Sequence, residues 1–139
     1  MGILEKIFRR GERTKKSPAI ETTVLQYDEL ERICSDSPDV YEALKKFMFL
    51  NPTKINVSLK DAVLKAKELE KAKDKLRAAV WYRIAGGLAI YEGDVAKVKE
   101  YFGKYCKLTG KDVKIVEVAE KVVRKAQEYY TKYLKKEER

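Results

Sequence analysis

Histidine is absent from all 139 residues. That absence excludes every scheme needing an imidazole as base, nucleophile partner or metal ligand, and with it Ser-His-Asp and Cys-His catalysis and the common zinc sites. Cysteine is scarce: Cys34 and Cys106 are the only two, too far apart in sequence for a CxxC pair. Buried reduced thiols are the leading reading, and a disulfide stays open because intracellular thermophile proteins do form them. Asparagine and glutamine are limited to Gln26, Asn51, Asn56 and Gln127, while charged residues make up 38% of the chain. A Lys/Glu-rich, amide-poor balance is the hyperthermophile pattern, so a heat-loving archaeon or bacterium is the expected source. No apolar run approaches the roughly 18 residues of a membrane span. The start, "MGILEKIFRR", lacks the h-region and cleavage site of a secretory signal, and the expected compartment is the cytoplasm.

What the chain has in excess is basic charge. Lysine and arginine number 31 against 22 acidic residues, a formal net charge of +9. The charge is uneven: residues 21–57 are net acidic and the stretches on either side net basic. Residues 1–20 read as a mobile basic arm. Within it Ile3, Leu4, Ile7 and Phe8 share one helical face, backed by Lys6, Arg9 and Arg10, and "GERTKKSP" reads as a linker. Residues 3–10 are therefore a candidate for weak contact with an anionic membrane or a partner groove, with packing on their own domain the competing fate. The length of 21–139 suits one domain with one core.

Apolar residues recur at helical spacing through that domain. Tyr27, Leu30 and Ile33 mark a short helix over 24–34. Ser37 before Pro38 signals a second start, with Asp39 and Glu42 suited to its positive end, and Asn51-Pro52 signals its stop. "TKINVS" is too short to pair as a strand and reads as an extended loop. Ser58 with Asp61 is a capping-box-like start. From Leu59 to Glu92 the stripe Ala62, Val63, Ala66, Leu69, Leu76, Ala79, Val80, Ile84 and Leu88 is compatible with one long helix or with two joined near "KAKDK". Gly93-Asp94 is a turn, a helix over 95–108 stops at Thr109-Gly110, and a last helix over 112–136 presents Ile115, Val116, Ala119, Val122, Val123, Ala126, Tyr130 and Tyr133. The expected fold class is all-α, a small bundle of five or six helices around an antiparallel hairpin.

That hairpin contains two adjacent glycines, Gly86 and Gly87, inside an apolar helical run, each costing up to about 1 kcal/mol against alanine. The stretch "YRIAGGLAIYEGDVAKVKEYFGKY" resembles one tetratricopeptide (TPR) hairpin: Tyr82, Gly86, Gly93-Asp94 and Phe102 fall in the family's register. The resemblance implies that Gly86 is the small residue at which two helices touch, with Phe102 its partner in packing. It covers about a quarter of the chain. Val98, Tyr105 and Gly110 depart from the family's preferences, and one repeat length away in either direction no second copy is found. A three-helix domain of the MIT type is similar over residues 78–136.

No catalytic constellation stands out. Glu68 and Glu70, Glu117 and Glu120, and Glu137 and Glu138 sit among lysines, as solvated helix ion pairs do. No cofactor or metal is expected. "GGLAIYEG" lacks the strand, spacing and lysine of a phosphate loop. Two function classes remain. The first is a non-catalytic protein-interaction or adaptor module, engaging a protein partner or a second copy of itself through unpaired apolar side chains. The second is a basic helical nucleic-acid-binding subunit. For it Lys97, Lys99, Lys104 and Lys107 interleave with Tyr101 and Tyr105 on one helix, and Lys125, Lys132, Lys135 and Lys136 surround Tyr129 and Tyr133 on the last. Lysine-rich outer faces and core tyrosines account for the same pattern without nucleic acid.

Overall fold

Three helix starts in this chain are capped by short polar side chains, Ser58, Asp74 and Asp94, and three helix stops close on a residue in the left-handed conformation, Lys73, Gly93 and Gly110. A computed structural model of the chain describes residues 27–134; the readings made for residues 1–26 and 135–139, the basic arm, Lys135 and Lys136 among them, lie outside the described residues. The chain builds α1 (27–33), α2 (Pro38–Phe47), α3 (Leu59–Lys71), α4 (Lys75–Glu92), α5 (Val95–Thr109) and α6 (Ala119–Tyr133), with 3-10 turns at Pro52–Lys54 and Lys114–Val116. Among the described residues there is no strand, and the protein is an all-α bundle.

The caps explain the boundaries. Ser58 Oγ accepts from the Asp61 N–H at 3.1 Å, Asp74 Oδ1 from the Arg77 N–H at 3.3 Å and Asp94 Oδ1 from the Lys97 N–H at 3.1 Å, each satisfying an otherwise orphaned helix donor. Ser37 occupies the N-cap position of α2, but its hydroxyl turns to Asp36 rather than to the helix; Pro38 needs no donor satisfied, which lowers the demand on the cap.

The stretch from Leu59 to Glu92 is two helices. Lys73 takes φ +62, and the Lys73 and Asp74 N–H groups donate back to the Glu70 and Leu69 carbonyls. The turn after α4 repeats this pattern: Gly93 takes φ +79, and the Gly93 and Asp94 N–H groups donate to the Ile90 and Ala89 carbonyls. Both are Schellman closures followed at once by an aspartate N-cap. Glycine adopts the left-handed region freely, whereas lysine does so at a cost of about 1 kcal/mol.

Two other boundaries differ from the sequence expectation. α2 ends at Phe47, with Met48 extended at ψ 137, so that Phe49 can reach Gly87 and its carbonyl can accept the Tyr130 hydroxyl. The last helix starts at Ala119 rather than 112: Gly110 turns the chain at φ +70, Val113 is extended, and the 3-10 turn carries Ile115, fully buried, into the core. An uninterrupted helix from 112 would have placed Ile115 on the helix's own radius instead of under α2 and α5.

The core is entirely apolar among the described residues, centred on Leu44, Tyr82, Ile90, Phe102, Ile115, Val122, Tyr129 and Tyr130. α4 is its axis. From Ala78 to Tyr91 its only charged residue is Arg83, the all-round apolar pattern of a central helix. It lies between α3 and α5 on one side, and α2, the Met48–Asn51 segment and α6 lie on the other. The two glycines mark close approaches on different sides of α4. A Cβ on Gly86 would stand 2.5 Å from Phe102 Cε2, and one on Gly87 would stand 2.6 Å from Phe49 Cε2 and 3.2 Å from the Phe47 carbonyl oxygen. At the far end, Gln127 Nε2 of α6 donates to the Ile90 and Tyr91 carbonyls, both at 2.8 Å, adding a second donor to Ile90 beside the Gly93 N–H and supplying one to Tyr91 in the last turn.

Candidate functional site

The tyrosines and lysines picked out by their spacing do not converge on one face. On α5, Tyr101 is buried and stacks on Tyr82, centroids 6.4 Å apart; burial, then Glu100 and Asp94, pushes its hydroxyl above the ordinary tyrosine range. Tyr129 of α6 is 1% exposed. Both rings face inward because the Val98, Tyr101, Phe102 stripe and the Val122, Ala126, Tyr129 stripe are the core faces of their helices, which leaves neither ring for stacking a base. Tyr133 is half-buried and donates its hydroxyl to the Glu29 carboxylate of α1, with the Lys132 ammonium 5.5 Å from its ring centre. Tyr105 is half-buried with its edge toward Phe47.

Of the lysines, Lys97 lies 3.9 Å from its own helix cap, Asp94, and Lys104 bridges to Glu70 of α3 at 3.5 Å. Lys99, Lys107 and Lys132 are exposed. Lys99 stands beside Glu117 and Glu120 at the start of α6, a helix length from Lys132 at the other end. Lys125, counted with the last helix's basic residues, is mostly covered and pairs with Asp36 at 3.2 Å. Tyr82, Glu70 and Lys104 form a structural cluster: the Tyr82 hydroxyl donates to Glu70 at 2.7 Å, which, with Lys104, holds the Glu70 carboxyl below the usual carboxylate range.

Cys34 and Cys106 are separate free thiols, the first buried and the second half-buried. Burial pushes the Cys34 thiol up to about 11, which keeps it protonated and unreactive near neutral pH. Among the described residues no group of histidine, cysteine and carboxylate side chains is placed to hold a metal ion, and no helix is long and apolar enough to cross a membrane.

The feature that stands out was not marked by spacing. Leu76 and Val80, part of the expected core stripe, are 77% and 51% exposed. They belong to the face of α4 that turns away from α3 and α5, and the elements covering that face reach down only to Arg83. Leu76, Val80 and Arg83 follow at i, i+4 and i+7 and so share one side of the helix. Arg83 closes the covered part: its Nη2 donates to the Lys46 carbonyl at 2.7 Å and its guanidinium lies 5.0 Å from the centre of the Phe47 ring. That pins a donor-rich plane against the end of α2.

Beside Arg83 the surface opens into a cleft of about 500 Å³, within the size range of ligand and side-chain pockets. Ala43, Phe47, Tyr105, Val113 and Ile115 supply its apolar wall. Its rim is charged, with Asp39, Glu42 and Asp112 against Lys46, Lys111 and Lys114. Lys114 reaches Asp39 at 3.8 Å. Arg83, which shares a helix side with Leu76 and Val80, is also a lining residue of the cleft, so the row leads along α4 to the cleft in a strip whose far end lies between α2 and the 111–115 segment. A third exposed apolar residue, Leu64 of α3, 55% exposed, borders a shallower depression with Val63, Tyr101 and Lys97 elsewhere on the molecule.

Comparison with protein-family models, with curated proteins and with solved structures finds no match to this chain.

Proposed function

We propose that the protein is a non-catalytic interaction module whose contact face is the uncovered side of α4. The observation that carries this reading is the pair Leu76 and Val80, two of the three large aliphatic side chains that stand exposed among the described residues, neighbours on one side of α4. Water-exposed aliphatic surface costs roughly 25 cal/mol per Å² relative to burial. Here it leads along one helix side to Arg83, which lines a preformed cleft, and an exposed apolar row beside a cleft is a candidate docking surface. The TPR-like register of Tyr82, Gly86, Gly93-Asp94 and Phe102 supports it as well, since hairpins of that kind serve as scaffolds for partner surfaces.

The nucleic-acid reading has less support, because Tyr101 and Tyr129 are core rings and Lys97, Lys104 and Lys125 have carboxylate partners. A photo-crosslinking residue in place of Leu76, used in an extract of the source organism, separates the two. The expected outcome is a protein adduct that survives nuclease treatment and is missing when the same residue replaces Lys99. Adducts that vanish with nuclease, or form equally well from position 99, sink the module reading in favour of nucleic acid.

A further inference from the structure

The strip on α4 also carries information about the chemistry of what covers it. Lys73, Lys75 and Arg77 flank Leu76 at the start of α4, and Lys46, Arg83 and Lys111 line the cleft. Of the carboxylates on the same strip, Asp74 is taken by Arg77 at 3.5 Å and Asp39 by Lys114 at 3.8 Å. Among the described residues Lys46, Lys73, Lys75, Arg83 and Lys111 have no carboxylate within ion-pair distance, which leaves Glu42 and Asp112, both at the cleft end, as the only unengaged acids of the strip. An apolar row edged with unmatched positive charge is complementary to an apolar row edged with negative charge.

We infer that this strip receives an acidic amphipathic helix of a partner protein, laid along α4 with its apolar side on Leu76 and Val80 and one apolar anchor in the cleft. The inference rests on the interaction-module reading and adds the partner's chemistry to it. The dimensions suit a helix. Leu76 to Arg83 spans about 10 Å at about 1.5 Å per residue, two helical turns, which is the spacing of three anchors at i, i+4 and i+7 on a docked helix. The cleft, walled by Phe47, Tyr105 and Ile115, accepts the third anchor, and its charged rim provides hydrogen-bonding groups around it. The partner's carboxylates fall at the Lys73 and Lys75 end, away from Glu42 and Asp112.

Other occupants fit less well. A second copy of the chain would oppose Lys73, Lys75 and Arg77 to their own counterparts, and like charges across an interface are repulsive. The chain's own apolar segment Ile3, Leu4, Ile7 and Phe8 carries Lys6, Arg9 and Arg10, the same sign as the strip. A planar anionic bilayer would leave the concave cleft unfilled.

The test uses the full chain and a fluorescein-labelled synthetic helix of about 18 residues, five turns, with leucines at i, i+4, i+7 and i+11 and glutamates between them. Saturable binding by anisotropy is expected, weakening as salt rises. The double substitution Leu76→Gln and Val80→Gln should weaken it at least tenfold, and Lys75→Glu with Lys111→Glu at least fivefold, with melting temperatures unchanged. The inference is overturned if the glutamate probe fails to saturate, if a probe with the same composition and scrambled leucines binds equally, or if a lysine version binds as tightly. It is overturned also if phosphatidylserine vesicles bind through Leu76 where the probe does not, or if the chain sediments as a dimer that the Gln pair disperses. Failure of the acidic probe together with a nuclease-resistant protein adduct at position 76 would remove the acidic-helix inference and leave the module reading standing.

Discussion

The two halves of α4 both carry large aliphatic side chains, Leu76 and Val80 in one and Leu88 and Ile90 in the other, and these have opposite fates. From Ala85 to Ile90 the helix is sealed on every side: Ala85, Leu88, Ala89 and Ile90 are buried, and Gly86 and Gly87 let Phe102 and Phe49 close on it from two directions. Before Arg83 the side facing α3 and α5 is just as apolar and buried, through Ala78, Ala79 and Tyr82, while Leu76 and Val80 on the other side stand in water. Hydrophobicity along a helix therefore does not say where the core ends. The end is set by the length of what packs over it, here the short α2 and the Met48–Asn51 segment.

The strongest way to break the contrast is to overfill the sealed half. Gly86→Leu puts a four-carbon side chain where even a Cβ would lie 2.5 Å from a ring that is 0% exposed. The expected cost is at least about 3 kcal/mol, the upper end of overpacking, read as a large fall in melting temperature. The smaller Gly86→Ala, combined with Phe102→Leu, should recover part of its own loss in a double-substitution cycle because the two sites share one contact. A neutral Gly86→Leu would mean that α4 and α5 do not cross closely at this point.

Gly87→Ala should cost less, about 1–2 kcal/mol. Its added Cβ meets the Phe49 ring, which is only partly buried and has room to swing, although the Phe47 carbonyl at 3.2 Å limits the relief. A denaturant midpoint that falls further for Gly87→Ala than for Gly86→Ala would invert this ordering and place the tighter approach on the α2 side.

The turns at the two ends of α4 sharpen the comparison further. They share one closure, with lysine in the left-handed position at the open end and glycine at the sealed end. Lys73→Gly should stabilise by about 0.5–1 kcal/mol and Gly93→Ala destabilise by about 1 kcal/mol. A Cβ at 93 would sit 3.4 Å from Gln127 Cδ, an ordinary contact, so backbone strain is the difference expected at both turns. Equal and opposite effects would bear that out; a much larger loss at Gly93 would overturn it.

Much of the fold is legible in the chain, and the reason is local chemistry. Ser58, Asp74, Asp94, Gly93 and Gly110 each act through bonds to residues three to five positions away, so a sequence can display them. The break at Lys73 was open to two readings because lysine gives no sign that it will adopt positive φ; only the aspartate beside it hints at a new helix. Gly87 had no assignment because its partner, Phe49, arrives from a segment nearly forty residues earlier, and nothing in the local pattern points there. The candidate surface was the least legible part. Periodicity marks which side chains share a face but not which faces are covered, so Tyr101 and Tyr129 are open to a surface or a core reading, and the structure buries them, while Leu76 and Val80 read as core and stand exposed.

The smallest expected effect is the one that bears most directly on function. Leu76→Gln and Val80→Gln keep good helix formers in place and remove side chains that already touch mostly water, 77% and 51% exposed. Each should change stability by no more than about 0.5 kcal/mol. Truncation of Ile90, fully buried one helix half away, should instead cost about 2–5 kcal/mol as Ile90→Ala. A chemical-denaturation series on these three variants therefore asks whether the aliphatic pair belongs to the protein's own core at all. If the Gln pair cost as much as Ile90→Ala, a segment of this chain outside residues 27–134 would have to be covering Leu76 and Val80, and the face would not be free for any partner. If the pair is silent in the melt, the only remaining free energy those side chains can contribute lies in what they bind.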